Sequence, residues 1–187
     1  MEEKKQTESS QNLIEKKLLE ERKIFLWGQV DDDSAKHLIE RLFFLEADKP
    51  GEEIKFYINS PGGYVTSGFA IYDAMRSITS PVSTICMGLA ASMGSILLSA
   101  GEKGKRFIYP NAKVMIHQPS GGARGQSTDI EIQAKEIVKT KELGAKILAD
   151  NCGQDFAKVM ADFNRDYWMD ANESLDYGII DNIITIK

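Results

Sequence analysis

Apolar residues recur along this chain with two periods, and the periods alternate. Short apolar or alternating runs read as strands: Lys23–Gly28, Ile54–Ile58, Val82–Met87, Arg106–Tyr109, Lys113–His117 and a final strand at Ile179–Ile186. Between them the spacing turns helical. Ala35, Leu38, Ile39, Leu42 and Leu45 mark a helix whose start is capped by the acidic run Asp31-Asp32-Asp33-Ser34. The turn Asn59-Ser60-Pro61-Gly62-Gly63 leads into a helix ending near Ile78, and a small-residue helix begins near Ala91. A long helix is predicted from Asp129 to about Asp150, and a shorter one over Asp155–Phe163. Strand–helix alternation over most of the chain predicts an α/β domain with a largely parallel sheet. One domain over 18–187 is expected, preceded by a mobile N-terminal segment, 1–17. Within that start, residues 1–10 read as a tail and Gln11–Arg22 as a short charged helix.

The helix from Asp129 is apolar on two sides. Ile130, Ala134, Ile137, Ala145 and Leu148 form one stripe, while Ile132, Leu143 and Ile147 fall roughly opposite. Its many charges argue against complete burial in one core. One face suits its own domain and the other suits a second subunit.

Composition narrows the function. Lys plus Arg is 23, Asp plus Glu is 28, and the net charge is −5. No basic patch suggests nucleic acid. No segment reaches the roughly 20 apolar residues of a membrane span. The N-terminus shows no signal-peptide core, so a cytoplasmic protein is expected. Cys86 and Cys152 lack metal-ligand spacing, and Cys86 reads as a small core residue.

The chemistry concentrates in a few places. Ser92 lies in Ala90-Ala91-Ser92-Met93-Gly94, a turn of small residues between a strand and a helix. Small neighbours leave a hydroxyl accessible, and the N–H of Met93 at the helix start faces developing negative charge. Tight helix packing is the plain alternative. The glycines of Ser60-Pro61-Gly62-Gly63 let backbone approach a ligand, with Gly63 N–H as a second donor; phosphate binding and a simple tight turn are the alternatives. His117 ends an apolar strand beside the glycine ribbon Gly121–Gln126, whereas His37 reads as a surface residue. A neutral imidazole needs an acceptor on its second nitrogen. Asp166 precedes the aromatic pair Tyr167-Trp168, which could bury it, but spacing alone does not single it out.

Taken together, several segments closely resemble the proteolytic subunit of the Clp proteases, the caseinolytic serine peptidases. They are Tyr57–Gly63, Ser83–Gly88, Ala90–Gly94, Gly101–Arg106, Met115–Pro119 and Arg165-Asp166, and the similarity runs from about residue 18 to the end. The resemblance implies a crotonase-like fold with a protruding handle helix at about 129–150. It implies a catalytic triad of Ser92, His117 and Asp166, with oxyanion donors at Gly63 and Met93. Gly121, Gly122, Ala123, Arg124, Gly125 and Gln126 match the segment that binds unfolded polypeptide as an added strand. It further implies two stacked heptamers enclosing the sites, an AAA+ unfoldase partner that hydrolyses ATP, and no metal or cofactor.

Some positions depart from the family pattern. Asn12–Lys17 differs from the usual gating segment, Lys55 and Ser77 replace aromatic or apolar residues of the docking cleft, and Asn164 replaces an acid beside Arg165. These differences suggest a divergent paralogue working in a mixed ring. Two other readings stay open: an acyl-CoA enzyme using the same turns as an oxyanion hole, and a silent ring subunit.

Overall fold

The structure is a computed structural model that describes residues 2–186, with only backbone described for residues 2–9 and 11. Its elements run α1 (Glu2–Glu20), β1 (Lys23–Trp27), α2 (Asp32–Asp48), β2 (Ile54–Ser60), α3 (Val65–Ser77), β3 (Val82–Ala91) and α4 (Met93–Ser99), then β4 (Arg106–Ile108) and β5 (Lys113–Ile116). They continue through α5 (Ser127–Cys152), α6 (Phe156–Asp162), β6 (Tyr167–Met169), α7 (Ala171–Tyr177) and β7 (Asn182–Ile183).

The α/β expectation holds, and the sheet is branched. Strands β1-β2-β3-β4-β7 are parallel neighbours. β3 divides its partners along its length. Thr84–Cys86 pair with β4, and Leu89–Ala91 pair with β5. Gly88 lies between these halves at φ +88, where the register against β2 shifts. β6 runs antiparallel on β5. A second wall of the sheet thus leaves β3 beyond Gly88.

Burial alternates along β1 and β2 as half-buried sheets require. Ile24, Leu26, Ile54, Phe56 and Ile58 face a core shared with Leu38, Leu42 and Leu45 of α2. Phe25 and Tyr57 stack on the other face, with ring centroids 5.1 Å apart. Asp31 caps α2 in a reciprocal box with Ser34, as the acidic run predicts in kind. At the far end of α2, Arg22 donates to the carbonyls of Leu45, Glu52 and Glu53. Arg106 and Asp181 pair at 2.6 Å in a largely buried site that ties β4 to the segment before β7. Both cysteines are free. Burial pushes the Cys86 and Cys152 thiols up to about 12, so neither offers a thiolate near neutrality.

Several boundaries differ from the sequence reading. α1 begins at Glu2 rather than Gln11, so helical backbone runs through the segment read as a tail. β3 continues to Ala91, and the helix after it starts at Met93. The final strand shrinks to Asn182–Ile183, because the residues from Gly178 to Asp181 form the turn that closes α7 and only Asn182 and Ile183 pair with β4. No helix among the described residues is long and apolar enough to cross a membrane.

α5 matches its predicted span within two residues at each end. Only Gly144, Ala145, Leu148 and Ala149 are buried. Ile130, Ile132, Val138 and Leu143 are exposed, at 41%, 55%, 54% and 49%. The N-terminal part of this helix therefore carries apolar side chains that its own domain leaves uncovered.

Candidate active site

The candidate residues sit just beyond strand ends, at one edge of the branched wall. Ser92 follows β3, His117 follows β5, and Asp166 precedes β6. The register explains their convergence. Ala91 pairs with Met115 across the parallel β3–β5 ladder. Ile116 pairs with Tyr167 across the antiparallel β5–β6 ladder. One residue beyond that pair, His117 and Asp166 face each other. Their side chains meet, with His117 Nδ1 3.0 Å from Asp166 Oδ1. This contact occupies one ring nitrogen and leaves Nε2 for the other side of the imidazole.

Ser92 is held in an uncommon conformation. Its φ of 54° and ψ of −123° belong to a region that non-glycine residues rarely adopt. Such a backbone costs on the order of 1–3 kcal/mol and persists only where neighbours enforce it. Here the Ser92 N–H donates to Met115 O at 2.9 Å, while Ser95 Oγ donates to Ser92 O at 2.6 Å. A strained serine between a strand and a helix is the geometry of a nucleophile elbow.

Ser92 and His117 line one cleft, walled by Phe69, Met93, Ile96 and Phe163. Among the described residues, no hydrogen bond joins the Ser92 hydroxyl to the imidazole. Looser contacts of this kind are common in unliganded hydrolytic sites. The apolar wall was not legible in the sequence. It draws on α3, α4, α5 and the turn after α6, and no local pattern joins those segments.

The glycine turn reaches the same place. A Cβ at Gly62 would lie 2.6 Å from Ser92 Cβ and 2.9 Å from Met93 N. Backbone therefore approaches the serine turn more closely than any side chain permits. Gly63 has φ +157, and a Cβ there would fall 2.0 Å from Val30 O. The bridge between Val30 and this turn uses Gly62 O and Tyr64 N, so the Gly63 N–H stays outside it. Met93 opens α4, and its N–H has no partner within that helix. The Met93 N–H thus adjoins Ser92 in sequence, and Gly63 follows the glycine that abuts the serine turn.

Other candidates fall differently. Asp166 is not buried by the aromatic pair. Its side chain is 60% exposed, and Tyr167 and Trp168 are themselves exposed. The ribbon from Gly121 to Gln126 has no strand of its own here. Gly121 packs against Ile137 of α5, and Gly125 against Asp129. Gly122, Arg124 and Gln126 are exposed, and Ala123 is half-buried. His37 is exposed, as expected. Gln118, the residue after His117, carries no signal of its own in the sequence. Its N–H donates to Phe163 O at 2.6 Å and its Nε2 to Asn164 O at 2.8 Å.

The arrangement is that of an α/β protein presenting a hydroxyl, an imidazole and a carboxylate at one end of its sheet, beside a closely packed glycine turn. A family model described as Clp protease matches residues 5–187, and the chain belongs to the Clp protease family, whose activity is peptide-bond hydrolysis.

Proposed function

We propose that this chain is a serine endopeptidase subunit of a compartmentalised, ATP-dependent protease. Ser92, His117 and Asp166 are its triad. The observation that carries the reading is a strained Ser92 sharing a cleft with an imidazole whose other nitrogen is engaged by Asp166.

The mechanism follows from these positions. His117 Nε2 accepts the hydroxyl proton as Ser92 Oγ attacks the peptide carbonyl. The N–H groups of Gly63 and Met93 receive the oxyanion, and losing one such donor typically costs about 10²–10³ in rate. His117 then protonates the leaving amine, and water releases the acyl group from Ser92 by the reverse proton relay. Asp166 keeps the imidazole in the tautomer with its proton on Nδ1. This chemistry needs no metal or cofactor.

Gly121–Gln126 receives unfolded polypeptide as an added strand, pairing with backbone and so tolerating many side chains. Members of this family oligomerise and work with unfoldases. For this chain we infer two stacked heptamers, or a mixed ring with a paralogue, in the cytoplasm. The uncovered apolar residues of α5 support its reading as a handle between rings. Lys55 and Ser77 are both exposed, so a docking loop from an AAA+ unfoldase meets an amine and a hydroxyl there. Desolvating that amine weakens docking, which favours help from a second type of subunit.

Ser92→Ala tests the reading. A fluorophosphonate probe should label the natural protein at Ser92 and leave the variant unlabelled. Short-peptide hydrolysis should fall by roughly 10⁶ while the oligomer persists. Full activity in the variant overturns the assignment.

A further inference from the structure

We propose that Gln118 is a positioning residue that holds Asp166 against His117. The inference rests on the serine peptidase reading. The β5–β6 ladder ends at Ile116 and Tyr167, so Asp166 lies one residue outside it. Its side chain is 60% exposed, so packing constrains it little. An exposed carboxylate–imidazole contact contributes little by itself, and ordering the backbone that carries it costs more. Something else must fix the turn between α6 and β6.

Gln118 does so from the residue next to the base. Its backbone N–H and its side-chain Nε2 donate to two successive carbonyls of that turn, Phe163 O at 2.6 Å and Asn164 O at 2.8 Å. The base and the clamp are consecutive in sequence, so the carboxylate's turn is referenced to the imidazole's own backbone. The side-chain bond reaches across 46 residues of sequence, with α5 and α6 in between. An amide suits the task because it donates without adding charge beside the carboxylate–imidazole contact. Gln118 hydrogen-bonds this turn and not the Ser92 hydroxyl. Its effect passes through Asp166 alone.

A double-mutant cycle tests this. Gln118→Met keeps the side-chain length and removes the donor. On a short fluorogenic peptide, kcat should fall about tenfold, the lower end of what losing a supporting partner costs, with KM within about twofold. The fluorophosphonate labelling rate of Ser92, read in both backgrounds, should fall about tenfold on Gln118→Met in the natural protein and stay unaltered on the same change in Asp166→Ala, because the carboxylate it positions is gone. Melting temperature and particle mass should match the parent in each pair. An unchanged kcat in the single variant, or an equal loss in both backgrounds, overturns the proposal. If Gln118→Met does not fold, Gln118→Leu, which also removes the donor without adding charge, enters the same cycle with the same two outcomes. Lack of Ser92-dependent labelling in the natural protein would instead overturn the peptidase reading, and this inference with it.

Discussion

Gly62 is the residue on which the site's closeness depends. A methyl group there would meet Ser92 Cβ, Ala91 O and Met93 N at once, at 2.6–2.9 Å. Its φ of +88 adds strain for any L side chain. On the peptidase reading, Gly62→Ala should push the serine turn from Gly63, the proposed oxyanion donor, and lower kcat by about 10²–10³, the effect of losing one such contact. Peptide hydrolysis alongside a thermal melt separates this from simple unfolding. At this scale the sequence was partly legible. Ser92 and His117 stood out because small residues frame one and a strand end carries the other. Asp166 did not, because an acid is selected by cross-strand register, and Ile116↔Tyr167 pairing is invisible in one dimension. Its solvent exposure also ran against the expectation of aromatic cover.

Among the elements, α5 bears the clearest consequence. Its exposed Ile132 and Val138 line one apolar surface with Ala134. Uncovered apolar area of this kind marks an interaction site. Ile132→Asp combined with Val138→Asp should leave the far-ultraviolet circular dichroism unchanged and reduce the particle mass seen by analytical ultracentrifugation. An unaltered mass would remove this helix from the assembly surface. The helix was legible because its two apolar stripes extend over many turns. α7 was not, since seven residues carry too little periodicity. Its signal was the reciprocal cap between Asp170 and Glu173, lying directly before Ser174. The length of β3 escaped for a different reason: Gly88 reads as a strand end, yet here it is the bend at which the strand changes partners.

For the whole molecule, acid stability follows from how loops are tied to helices. Glu46 of α2 accepts from the N–H and hydroxyl of Thr79 and from the N–H of Ser80. Hydrogen bonds from Ser80 and Thr79 hold its carboxyl down at about 2, below the usual 4.5. A carboxyl lowered in the folded state stabilises above its unfolded value and loses that contribution as pH falls. The contribution should fade between about pH 4.5 and 2. Glu46→Gln should lower the melting temperature at pH 7 and converge with the parent near pH 2; parallel curves over that range would contradict the sign. The parallel sheet was legible as a whole, through strand–helix alternation. Its branching was not, because it depends on one strand serving two neighbours.

That branching also sets an order in time. A chain is synthesised from its N-terminus, and Asp166 leaves the ribosome 49 residues after His117. The nascent polypeptide thus carries its alcohol and its imidazole without the strand that aligns them. On the peptidase reading, the growing chain is harmless to itself and its neighbours until translation has passed β6.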